Sequence, residues 1–178
     1  PVVVCGKVSD RHGVVLAKNM IAKKAGIKTG MVLYQAYNLC PNLKAVEAHH
    51  DLYCKYSKAV KDIYREYTDR VESFGIDEAW IDITNCHKHG GDAFKIAEEI
   101  RNRVKTEIGL TVSIGVSFNK IFAKLASDIK KPDATTVIDK QNYKQIVWPM
   151  PVEDLLYVGR ATKDKLNTLT IKTIGDLA

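Results

Sequence analysis

Short β-branched runs alternate along the chain with longer stretches whose apolar residues recur at helical spacing. Val2 to Val4 and Val14 to Leu16 read as strands joined by a turn through Asp10-Arg11-His12-Gly13, and a helix rich in Ala and Lys follows. Gly26 and Gly30 punctuate the next segment. From about Asp51 to Thr68, the residues Leu52, Tyr56, Val60, Ile63 and Tyr67 share one helical stripe, so the tyrosines are expected to pack in a core rather than stack on bases. The run from Ser73 to Thr84 sets Asp77 and Glu78 at the head of an apolar strand and predicts a β-hairpin with that pair at its tip. Gly90-Gly91-Asp92 predicts a turn and helix cap, before a helix with Phe94, Ala97, Ile100, Val104 and Ile108 on one face. Leu110 to Ser117 alternates, with Val112, Ile114 and Val116 inward, as a half-buried strand does. Ser117-Phe118-Asn119 caps a helix whose apolar face is Phe118, Phe122, Leu125 and Ile129, and Lys131-Pro132 ends it before a strand at Thr135 to Ile138. Gly159 opens a helix in the last thirty residues, and Thr173 to Leu177 begin another. This order predicts an α+β fold, with helices layered on one face of a mainly antiparallel sheet.

The chain has 178 residues, 46% of them hydrophobic, which is enough for a proper core and one domain with a small appendage. Twenty-seven Lys and Arg face 21 Asp and Glu, a net charge of +6 that is compatible with nucleic acid without demanding it. Cys5, Cys40, Cys54 and Cys86 show no C-x-x-C spacing, which argues against a zinc knuckle or redox motif and for reduced intracellular thiols. No apolar run approaches the roughly 20 residues of a membrane helix, so the expectation is a cytoplasmic protein with no membrane partner. The abrupt opening Pro1-Val2-Val3-Val4-Cys5 and the one-turn last helix suggest a piece of a longer protein.

Asp77 and Glu78 carry the candidate chemistry. Successive strand residues face opposite ways, so both carboxylates reach one ion only at a turn or bulge, and Gly75 supplies the bend for a hard-oxygen site suited to magnesium. Taken alone, the pair fits a solvated acidic turn better than a metal site. Lys120, Lys124 and Lys131 form a basic stripe able to hold DNA phosphates as point charges, or equally a solvated face. Gly159, Arg160 and Lys163, with Lys165 and Lys172 nearby, suit a sequence-independent phosphate site at a helix N-terminus, against the plainer reading of a helical hairpin. Cys86, His87 and His89 are irregularly spaced beside glycines and read as a loop rather than a zinc site.

Ile76-Asp77-Glu78-Ala79-Trp80-Ile81-Asp82, then Ser113-Ile114-Gly115-Val116-Ser117-Phe118-Asn119-Lys120 with Ala123-Lys124-Leu125-Ala126-Ser127-Asp128, then Lys131-Pro132, resemble successive signatures of the Y-family translesion DNA polymerases. This is the group of DNA polymerase IV and the UmuC, ImpB, MucB and SamB proteins. Gly26-Ile27-Lys28-Thr29-Gly30-Met31 resembles the family's fingers segment, and the C-terminal stretch resembles the start of its helix-hairpin-helix thumb. The resemblance implies fingers over 1–50, a palm over 51–138 and the start of a thumb over 139–178. It implies a low-fidelity DNA-directed DNA polymerase in which Asp77 and Glu78 help bind two magnesium ions. Lys131 would contact the incoming triphosphate, with Lys23 as a further contact. Primer-template DNA and deoxynucleoside triphosphates are the implied partners, with a sliding clamp engaged through a C-terminal region.

The sequence departs from the pattern in places. The family's first palm strand, with another metal-binding aspartate and an aromatic gate against ribonucleotides, is expected before residue 1, and Asp10 lies in the wrong context to replace it. Met20 and Lys23 stand where many members have tyrosine and arginine. Gly75 stands where serine is common, and Tyr157 and Thr170 replace usual glycines. The expectation is a parent protein that polymerises and a 178-residue chain that does not. A non-catalytic DNA-binding relative and a nucleotidyl cyclase-like palm enzyme are the alternatives.

Overall fold

The valines near the N-terminus do form a strand, and both of its partners come from later in the chain. The computed structural model describes residues 1–6 and 13–178, so Asp10, Arg11 and His12 of the predicted turn lie outside the described residues. The chain divides into two compact units, Pro1–Cys54 and Lys55–Ala178.

In the first unit β1 (Val2–Cys5) pairs antiparallel with β2 (Val15–Lys18) and parallel with β3 (Lys44–Glu47). Two short helices, α1 (Met20–Lys24) and α2 (Leu33–Leu39), make the crossover from β2 to β3. Asn19 caps α1 by accepting from the Ala22 amide at 2.9 Å. Val3, Cys5, Val15, Ala22, Ile27 and Ala36 are buried at the centre of this unit.

The second unit begins within α3 (His50–Arg65). Ile63 and Tyr67 at the C-terminal end of its stripe are buried, whereas Leu52 and Tyr56 are exposed, so the predicted core face holds only over the last turns. The antiparallel hairpin of β4 (Val71–Phe74) and β5 (Glu78–Ile81) stands where the sequence predicts it. Asp92 caps α4 (Ala93–Arg103) by accepting from the Phe94 and Lys95 amides, and a wider π-type turn continues it over Val104–Ile108. The buried face of α4 is Ile96, Ala97, Ile100 and Val104; Phe94, placed inward by the sequence pattern, is 48% exposed. The helix therefore sits rotated toward Ile96.

Next come β6 (Ile114–Ser117), α5 (Lys120–Ile129) and β7 (Thr135–Ile138). Only the last four residues of the predicted strand over Leu110–Ser117 are paired. Leu125 and Ala126 of α5 are buried, whereas Phe118 and Ile129 are exposed. β6 and β7 run parallel, Gly115 opposite Thr136. The α+β class stands, and the mainly antiparallel sheet is corrected. Among the described residues two strand pairs are antiparallel and two parallel, in three separate sheets. The reason is that β1 to β3 and β6 to β7 are joined through helices, and a helical crossover returns the chain in its original direction. The chain closes with α6 (Tyr143–Val147), α7 (Arg160–Thr168) and α8 (Ile174–Leu177), the last held by a reciprocal Thr173–Asp176 capping box.

Candidate active site

The β4–β5 hairpin pairs Phe74 with Glu78, which leaves Gly75, Ile76 and Asp77 as its loop. Gly75 opens the loop at φ +79°, a left-handed backbone that favours glycine. Because Asp77 lies in the turn and Glu78 on the first strand residue, strand alternation does not drive the two carboxylates apart. Both line one cleft.

Three contacts hold this tip. Lys61 of α3 donates to the Gly75 carbonyl at 2.9 Å. The Trp80 indole N–H donates to the Lys120 carbonyl at 3.0 Å, with the Phe74 ring 4.8 Å from its own. Lys120 Nζ reaches Glu72 at 2.5 Å and lies 5.0 Å from the Trp80 ring. The hairpin is thus docked on the start of α5, which Asn119 caps through the Phe122 amide at 2.8 Å.

A cleft of about 420 Å³ opens beside the tip, lined by Asp77, Glu78, Lys124, Ser127 and Lys131 and floored by the edges of β5 and β6. Among the described residues β5 pairs only with β4 and β6 only with β7, so the two facing edges are both unpaired. Tyr64 also faces the cleft, and burial pushes its phenol up to about 12.

Asp77 is exposed and has no hydrogen-bond or ion-pair partner among the described residues. Glu78 is different: its Oε1 accepts from Lys124 Nζ at 2.8 Å. Lys124 also reaches Asp128 Oδ2 at 3.0 Å, and Asp128 Oδ1 meets Lys131 at 2.5 Å. Charges therefore alternate from Glu78 through Lys124 and Asp128 to Lys131. Burial works against the charge on Lys124, but its bonds to Glu78 and Asp128 outweigh it and push the pKa up. Burial likewise tends to raise the Asp128 carboxyl, and the two lysines overcome it and hold it below the ordinary range.

The Lys131–Pro132 peptide bond is cis, and Asp133 after it adopts φ 55°. Asp133 is gripped by Arg101 and Lys105 from the α4 helix and its extension, each at 2.7 Å. Sequence reasoning missed this clamp, because a contact between residues 32 positions apart has no local signature. The Lys124–Asp128 pair was open to it, since residues four apart on a helix are neighbours.

The remaining predicted residues lie elsewhere. Lys23 is exposed on α1 in the N-terminal unit. Gly159 is the N-cap of α7 and offers no side chain to its first-turn amides; Arg160 follows, and Lys163 is paired with Glu153 at 2.5 Å. Cys86 is buried among Ile63, Ile96 and Ile100, and His89 is paired with Glu99. Among the described residues no group of three or more His, Cys, Asp or Glu is placed to hold a metal ion.

The model of the impB/mucB/samB family matches residues 1–128. The chain belongs to that family. Among its relatives, DNA polymerase IV of Acetivibrio thermocellus is 58% identical over 178 residues, all of this chain and 45% of the relative. DNA polymerase IV 1 of Bacillus subtilis is 42% identical, again over the whole chain and 43% of the relative. The solved structure of DinB from Sulfolobus solfataricus superposes with a TM-score of 0.89 at 28% identity, over 99% of this chain and 52% of that one. An insertion ternary complex of Dbh DNA polymerase gives a TM-score of 0.88 at the same identity and coverage. The impB/mucB/samB chain described here therefore has a Y-family polymerase fold and spans about half the length of the curated relatives it matches.

Proposed function

We propose that the full-length protein carrying these residues is a DNA-directed DNA polymerase of the low-fidelity translesion type, acting in damage tolerance. One observation carries the reading: in a chain of this family, the hairpin tip presents Asp77 and Glu78 to a cleft that also holds Lys124 and Lys131. Two carboxylates on one tip suit magnesium, which binds through one or two carboxylates and takes its other ligands from substrate phosphate and water. When bound there, the metal supplies charge neutralisation and a more acidic primer 3′-hydroxyl. Asp77, exposed and without a partner among the described residues, is the first ligand, and Glu78 is the second. Lys131 meets the triphosphate as a point charge, held in place by Asp128 and by the Arg101–Asp133 clamp beside it. Lys23 is a further triphosphate contact on the strength of the family resemblance alone.

Primer-template DNA is gripped through its phosphates. The uncapped N-terminus of α7 at Gly159, with Arg160 and Lys163, serves this purpose on the primer-template duplex. Lys120 is a weaker candidate, since Glu72 already engages it. A sliding clamp engages a region outside these residues. The assignment of 1–50 to fingers, 51–138 to palm and 139–178 to thumb belongs to the same proposal.

For the 178-residue chain by itself we propose DNA binding without polymerisation. Two observations favour this: no third acid gathers with the pair among the described residues, and two unpaired strand edges flank the cleft. The test is magnesium-dependent primer extension by the full-length protein, on undamaged and abasic templates, beside its Asp77→Ala variant. Extension that falls by about 100-fold or more in the variant supports the reading. No extension by a folded, DNA-binding full-length protein would replace it with a non-catalytic relative, and extension by residues 1–178 alone would overturn the second claim.

A further inference from the structure

Among the described residues Lys124 is the one cation that touches the acidic pair, and its position is built rather than incidental. Its side chain is 19% exposed, its Nζ bonds Glu78 at 2.8 Å and Asp128 at 3.0 Å, and α5 fixes its origin by packing on β6. The ammonium therefore stands beside a carboxylate that the proposed function assigns to a divalent cation. A metal on Glu78 and an ammonium on the same carboxylate repel each other, so they compete for it. Asp128 gives Lys124 somewhere to remain when Glu78 changes partner, since it already holds one of the lysine's hydrogen bonds.

We infer that Lys124 is a positioning residue that occupies Glu78 in place of metal and shifts its weight to Asp128 when a divalent ion arrives. The inference rests on the proposed metal site at Asp77 and Glu78. It sets the affinity of the pair for metal in the absence of nucleotide, and keeps Glu78 turned into the cleft meanwhile. Lys124 is thus a competitor for the metal rather than a contact for the DNA backbone.

The test is Mn²⁺ binding to the full-length protein without DNA or nucleotide, followed by the electron paramagnetic resonance of free Mn²⁺. Lys124→Met, which keeps the stem and removes the charge, is expected to tighten Mn²⁺ about fivefold, and Lys124→Gln to do the same. Asp128→Asn is expected to loosen it about threefold, because Lys124 is then left to Glu78 alone. In the Lys124→Met background, Asp128→Asn is expected to change the affinity by less than about twofold, the mark of an effect that runs through the lysine. A purely structural role would weaken binding in both single variants. Asp77→Asn separates the two levels. If it leaves Mn²⁺ binding intact, the metal site itself is misplaced; if it abolishes binding while both lysine variants match the unaltered protein or bind more weakly, the inference alone is overturned.

Discussion

At Gly115, α5 crosses β6 so closely that a Cβ would lie 1.9 Å from the Ala123 carbonyl oxygen and 2.6 Å from the Ser127 amide nitrogen. Both neighbours are backbone and cannot step aside. Gly115→Ala is therefore expected to cost about 3 kcal/mol in denaturant unfolding, as overpacking of a rigid contact does. The contact matters for the site because the same helix carries Lys124 and Asp128. Tyr157 and Thr170 show the opposite case. Both are non-glycine residues in left-handed backbone, at φ 70° and 63°. Thr170→Gly relieves that strain but loosens the unfolded chain, and a net gain of about 0.5–1 kcal/mol is expected in thermal unfolding.

Elements differ in how much of their cause is local. The hairpin, α4 and α5 carry their own caps and turns in sequence, and all three stand where the pattern puts them. Asn119→Ala removes the bond to the Phe122 amide and is expected to cost about 1 kcal/mol of stability, while leaving the number of strands unchanged. By contrast, α2, β3 and α6 went unread. In α2 only Leu33 and Ala36 are buried, while Tyr34 and Leu39 are exposed, so no apolar stripe marks it. β3 is Lys-Ala-Val-Glu, charged at both ends, and is a strand because β1 pairs with it some forty residues away. α6 is five residues long, too short for a period to show. The rotated face of α4 has a similar origin: Ile96 and Phe94 are both apolar, and only the neighbours of α4 decide which turns inward.

Within the second unit, charged side chains tie helices to strands at points far apart in sequence. Glu98 accepts from Arg101 and, at 2.6 Å, from Thr135 of β7. These bonds, that from Arg101 foremost and then Thr135, draw its pKa from the ordinary 4.5 down to about 2. A carboxyl depressed on folding stabilises the fold above its unfolded pKa and loses that contribution as pH falls through the folded value. Stability is therefore expected to hold from neutrality to about pH 5 and to decline from there toward about 2. Glu98→Gln should flatten that decline in a series of acid unfolding curves, with little change of slope above pH 6. No helix among the described residues is long and apolar enough to cross a membrane.

The sequence by itself determined the features whose causes lie within a few residues: the hairpin and its acidic tip, the caps at Asp92 and Asn119, the left-handed turn at Gly75, and the ordered motifs that mark the family. Each depends on backbone torsions and side-chain chemistry that a short segment carries with it. Only the tertiary structure decided which strands run parallel, which apolar residues are buried, and which charges meet. Lys124 looked like part of a free basic stripe until packing of α5 on β6 set it against Glu78 and Asp128, because a salt bridge across 46 positions is specified by the fold and by no neighbourhood in the chain.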